Sequence, residues 1–215
     1  AMAMPAAGFA QQKLDVTIDG LQGESLPDEA AFCIPDPAQH QTSGNNVQPG
    51  LSWSAGPEGT QSYAIIMVDP DVPTEFDNFN KEGATLAADM KRQNFYHWVL
   101  VDIPASTTSL PAGADTGEKS PKKIGKTEHG VRGVNDYTKF MTGDMAGEYG
   151  GYDGPCPPWN DERMHHYTFR VYALDVPTLG LSGAFTGPDA EEAMEGHVLA
   201  QGEAVGTYTL NPAMR

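Results

Sequence analysis

The stretch GYDGPCPPWNDERMHHY, residues 151–167, sets two glycines, three prolines and a thiol ahead of two histidines and a tyrosine that open an apolar strand. These residue types serve catalysis, metal binding or anion capture. A second candidate group is VDPDVP, residues 68–73, where Asp69 and Asp71 close the most apolar run of the chain. Asp-Pro steps start turns, and Asp side chains there bond nearby backbone amides. A carboxylate directly after a buried strand also sits at the rim of the core, where some partner has to satisfy it. The third is His97 in FYHWVLVDI.

Three chemistries compete for these residues. Cys156, His165 and Asp69 form the roster of a Cys-His-Asp hydrolase. Against this, Cys156 lies between Pro155 and Pro157, which lack the backbone donors an oxyanion hole needs, and no helix start follows. His97, His165 and Asp69 match a two-His-one-carboxylate metal set, but without a diagnostic spacing such as HExxH. Binding of a small anion needs only donors around a pocket, which the same residues supply. The expectation is therefore a protein with no catalytic residue, no metal ligand and no cofactor.

Apolar periodicity defines the elements that must position these side chains. Strands are expected at 14–18, 51–54, 62–69, 95–103, 166–175 and 204–210. The runs at 62–69 and 95–103 are nearly continuous in apolar residues, as in strands covered on both faces. Alternation places His97 on the face of Val99, Val101 and Ile103. It places His165 with Tyr167, Phe169 and Val171, and His166 on the opposite face. One helix is expected over 188–202, PDAEEAMEGHVLAQG, and a short one within ATLAADMKRQ in the long 74–94 connection. The 105–150 connection is also long and carries a basic patch at 119–126.

Composition bounds the rest. The 215 residues are 39% apolar, enough for one sizeable core, with 24 glycines and 17 prolines spread as punctuation between short strands. A net charge of −16 argues against nucleic acid and anionic membrane as broad-surface partners. No apolar run reaches the length of a membrane span. Residues 1–13 read as a tail, a tag scar or the remnant of a signal peptide, ahead of one domain over 14–215. The two cysteines fit one disulfide or two free thiols equally well.

Five ordered pieces carry a resemblance: LSWS with PEGTQSYAIIMVDPDVP, YHWVLVDIPA, GYDGPCPP, HHYTFRVYALD and GHVLAQGEAVGTY. Together they resemble the phosphatidylethanolamine-binding protein family, specifically its bacterial Raf kinase inhibitor-like branch, from about Leu14 to Leu210. The resemblance implies a mainly β fold: one β-sandwich domain with a large central antiparallel sheet, a smaller sheet and a C-terminal helix. It implies a pocket for phosphate-type anions or phosphoethanolamine-like head groups. The pocket residues it transfers are Asp69, Asp71, His97, Gly154, Pro155, Cys156, Pro157, His165 and Tyr167. His166 stands where many members carry arginine, and the 74–94 and 135–153 segments look longer than in many of them. A small anionic or zwitterionic ligand is the expected partner, with a protein-interaction module inhibiting kinases or proteases as the alternative. A periplasmic or secreted location is favoured over a cytoplasmic one, and the oligomeric state, a homodimer included, stays open.

Overall fold

The longest apolar runs build the centre of the molecule. The computed structural model describes residues 12–116 and 124–215; most of the expected tail and of the basic patch lies outside them. Strands β1 (Gln12–Lys13), β2 (Val16–Ile18), β3 (Cys33–Asp36), β4 (His40–Ser43), β5 (Leu51–Trp53) and β6 (Ser62–Pro73) come first. Then follow β7 (Arg92–Pro104), β8 (Ser109–Leu110), β9 (Gly125–Lys126), β10 (Val131–Arg132), β11 (His165–Leu174) and β12 (Val198–Tyr208). A seven-stranded sheet runs β1-β12-β11-β6-β7-β10-β9, antiparallel throughout except for the parallel edge strand β1. Gln12 and Lys13, assigned to the tail by sequence, thus already belong to the sheet. A three-stranded sheet, β2-β5-β8, and the β3-β4 hairpin complete the strands.

Both faces of the large sheet are covered, which explains the unbroken apolar runs of β6 and β7. On one face Ile65, Met67, Trp98, Leu100, Phe169 and Val171 pack with Ile18, Leu51, Trp53 and Leu110 of the small sheet. On the other, Ala64, Ile66, Val68, Val99 and Val101 meet Phe185, Ala190 and Met194 around helix α2 (Gly187–Met194). Among the described residues, no helix is long and apolar enough to cross a membrane.

Three local expectations are corrected. Helix α2 stops at Met194, eight residues short of the expected end, because Gly196 adopts φ +80° and His197 bonds Asp175 at 2.8 Å. The residues from Val198 onward then join β12, since they pair with β11 along its whole length. No helix forms in ATLAADMKRQ; Leu86 bridges to Asp161 and Arg92 opens β7. Finally, His97 is not on the face of Val99 and Val101. Met67 opposes Trp98 while Val68 opposes Tyr96, so His97 is the extra residue of a β-bulge. The bulge turns His97 and Trp98 to the same side, where His97 packs against Tyr137 and Tyr167.

Cys33 and Cys156 form a disulfide across 123 residues of sequence, with Cα atoms 4.8 Å apart. It pins the proline loop to the β3-β4 hairpin. Exchanging both cysteines for serine is expected to lower unfolding free energy by about 2–5 kcal/mol. Denaturant titration of the oxidised chain and the double variant checks this, and equal midpoints would contradict it.

Candidate functional site

The site forms where β11 begins beside the interior of β6 and β7. Pairing of β6 with β11 in register brings Asp69, just past the Val68–Thr168 pair, beside His165. His165 Nδ1 lies 2.6 Å from Asp69 Oδ2, and its Nε2 lies 3.0 Å from Asp161 Oδ2. All three residues are buried. A carboxylate only accepts, so both ring nitrogens donate and the ring is an imidazolium. Burial alone would lower its pKa, but the Asp69 charge and the bonds to Asp161 and Asp69 raise it to about 9.

A wider network balances this charge. Arg92 grips Asp161 with both guanidinium arms, at 2.6 and 3.0 Å, and reaches the Asp71 carbonyl. Asp69 Oδ1 accepts the Asp71 N–H at 2.8 Å. Asp71 accepts from Arg163 Nε at 2.6 Å and from both the N–H and the Nδ1 of His166 at 2.9 Å. Burial works against ionisation of Asp71 and Asp161, yet bonds from His166 and Arg163, and from His165 and Arg92, hold both below the usual carboxylate range. Three carboxylates, Asp69, Asp71 and Asp161, therefore face three cations, His165, Arg92 and Arg163.

Beside this network lies a cavity of about 50 Å³, lined in part by Asp69, His97, His165, Tyr167, Cys156 and Pro157. That is room for a few waters or one tetrahedral oxyanion, and nothing as large as a whole lipid. His97 Nδ1 faces the Asp153 carbonyl oxygen at 2.8 Å, and its Nε2 has no protein partner among the described residues. Complete burial pushes the His97 pKa down, despite the opposing Asp69 charge, so this ring is neutral. The Tyr167 phenol, raised well above its ordinary range by burial, keeps its proton and likewise lacks a partner among the described residues.

The loop before β11 is a fixed wall. Asp153 takes bonds from Asn46 and Asn135, and the Gly154 N–H donates to Asn46 Oδ1 at 2.7 Å. A Cβ on Gly154 would meet the Ala30 carbonyl oxygen at 2.0 Å, so only glycine fits there. The Gly154 carbonyl accepts from Tyr137 at 2.7 Å.

Of the nine residues expected at the site, Asp69, His97, Cys156, Pro157, His165 and Tyr167 meet at the cavity. Asp71, Gly154 and Pro155 stand behind it: Asp71 anchors Arg163 and His166, while Gly154 and Pro155 set the course of the loop. The Cys156 sulfur is committed to the disulfide, and no free cysteine exists among the described residues. Sequence reasoning missed Asp161 and Arg92, and it missed the aromatic mouth of Phe79, Phe95, Tyr137 and Phe140. Asp161 was within reach, four residues before His165. Phe79 and Tyr137 come from the two long connections, whose place at the rim no periodicity reveals.

The imidazolium fixes how stability depends on pH. Its folded pKa is raised, so its contribution is full below about 6.5, the ordinary value, and is lost as pH rises through about 9. The loss expected across that window is on the order of 3 kcal/mol. Denaturant titrations from acid to alkaline pH should show this decline in the natural chain and a flatter profile in His165→Gln. Parallel profiles would contradict the charged state of His165.

Comparison with known proteins follows the same lines. Residues 19–209 match the family described as phosphatidylethanolamine-binding protein. A UPF0098 protein of Aquifex aeolicus is 33% identical over 172 residues, 80% of each chain. The UPF0098 protein YbcL of Escherichia coli is 31% identical over 171 residues, 78% of this chain and 74% of YbcL. The crystal structure of YbcL, described as a new member of the mammalian PEBP family, superposes with a TM-score of 0.65 over 92% of this chain and 98% of that one, at 28% identity. A phosphatidylethanolamine-binding protein homologue of Chlamydia trachomatis superposes with a TM-score of 0.57 at 27% identity, covering 92% and 97% of the two chains. By sequence and by fold alike, this chain belongs to the phosphatidylethanolamine-binding protein family.

Proposed function

We propose that the chain binds, without turning it over, a small phosphate-type anion or a phosphoethanolamine-like head group in the cavity between Asp69, His97 and Tyr167. The observation that carries this reading is that two buried residues lining the cavity, His97 and Tyr167, keep a ring nitrogen and a hydroxyl that no protein group engages among the described residues. Polar groups inside a protein are seldom left without a partner, and a ligand oxygen is the natural complement. The donors first expected from His165 are not free, since both its N–H groups are held by carboxylates. His165 instead keeps Asp69 and Asp161 neutralised, so an anion enters a locally balanced site despite the net charge of −16. An ammonium group would lie against the Phe79, Phe95 and Phe140 rings, whose faces attract cations.

Catalysis has little support. The Cys156 sulfur is in a disulfide, and His165, charged and doubly bonded, is no general base. A metal would have to displace Asp69 or Asp161 from His165 to reach its ring. The disulfide supports an oxidising compartment, periplasmic or extracellular. One observation favours the second reading, a protein-interaction module: Phe76 and Phe140 stand about half exposed in an edge-to-face cluster at the cavity mouth.

Titration with phosphoethanolamine, followed by histidine and tyrosine side-chain resonances, tests the binding reading. Saturable shifts at His97 and Tyr167, lost in Tyr167→Phe and His97→Ala, are expected. No shift up to about 10 mM ligand would overturn it and leave the interaction module.

A further inference from the structure

An oxyanion in the cavity, as proposed above, would meet a wall whose free polar atoms are unevenly divided between donors and acceptors. The Asp153 carbonyl can only accept, so His97 Nδ1 carries the proton and Nε2 presents a lone pair. His97 is only 3% exposed and lines the cavity, with Nδ1 turned to the Asp153 carbonyl at its other side. The Asp69 carboxylate, also in the wall, is a second acceptor. The donor is the hydroxyl of Tyr167, a lining residue, which no group among the described residues engages. Pro157 and Pro158 add none, because proline has no N–H.

The groups around His97 keep the lone pair in place. Asp69 on β6 and Asp136 next to helix α1 (Tyr137–Phe140) attract a proton to the ring, while His165 on β11 repels one. Tyr137 and Tyr167 pack on it as neutral phenols. Burial exceeds the attraction, and the ring stays uncharged.

We propose that this cavity selects oxyanions that carry a hydroxyl, namely inorganic phosphate or the monoanion of a phosphate monoester, over sulfate and phosphodiesters, with His97 Nε2 accepting that hydroxyl. The ligand O–H donates to Nε2 while a remaining oxygen accepts from the Tyr167 hydroxyl. Sulfate and a diester bring no proton, so an oxygen lone pair faces the Nε2 lone pair, and the buried bond goes unmade. A site built around one hydrogen bond rejects analogues that lack it. The preference expected is roughly 10- to 100-fold.

Calorimetric titration of the full chain with inorganic phosphate, phosphoethanolamine, sulfate and glycerophosphoethanolamine tests this rule. At about pH 6, where a monoester still holds its proton in part, the two hydroxyl-bearing ligands should bind roughly 10- to 100-fold more tightly than the other two. Toward about pH 8 the affinity for phosphoethanolamine should fall roughly tenfold per unit as its last P–O–H proton leaves, whereas inorganic phosphate, which keeps one hydroxyl as its dianion, should still bind. His97→Gln, whose amide can donate, should bring phosphate and sulfate within about threefold of each other. Equal affinities for phosphate and sulfate in the natural chain, or intact selectivity in His97→Gln, would overturn the rule while leaving the binding function standing. Failure of all four anions to bind would remove the binding function and this rule with it.

Discussion

A protonated histidine buried between two carboxylates is the constraint on which the rest of this structure depends. His165 joins the start of β11 to β6 through Asp69, and to the proline loop through Asp161. Arg92 at the start of β7 then takes the other side of Asp161. Three strands and one loop are thus tied by a single chain of opposite charges. Such a chain is costly to desolvate, and the loss of any one member strands the others in the interior. It fixes geometry more than it adds stability: the cavity keeps its shape because its floor cannot shift without breaking an ion pair.

The same arrangement separates two histidines by task. His165 is charged and fully engaged, and it spends its donors on structure. His97 is neutral, with one nitrogen held by a backbone carbonyl and the other open to the cavity. Their environments differ in one respect that decides the outcome. His165 touches carboxylates at both nitrogens, whereas His97 feels Asp69 only at a distance and is dominated by burial. Ligand chemistry accordingly falls to His97 and Tyr167, while the prominent HisHisTyr sequence is mostly scaffold. His166 contributes there too, holding Asp71 from the exposed side.

Much of this was legible in the sequence where short-range rules govern. The strand runs of β6, β7 and β11, and the inward face of His165 and Tyr167, follow from period-two alternation alone. Alternation failed at His97, since a bulge is an extra residue whose presence depends on the partner strand. It failed again after Met194, where tertiary pairing of GHVLAQG with β11 outweighed a helical apolar spacing. The Cys33–Cys156 bond joins residues 123 apart, and no count of cysteines could choose it over free thiols. Asp161 and Arg92 were hidden for a related reason. Each is an ordinary charged residue in a loop or at a strand start until the fold brings it against His165. The aromatic mouth comes from connections with no periodicity, so its role emerged only in three dimensions.

The central claim, that one cavity histidine is a buried cation and the other a neutral lone-pair acceptor, is open to direct measurement. Nitrogen-15 chemical shifts of histidine-labelled protein report the protonation of each ring nitrogen. At neutral pH the account predicts two protonated nitrogens on His165, and a His97 ring protonated at Nδ1 with Nε2 bare. A neutral His165, or a charged or Nε2-protonated His97, would contradict it.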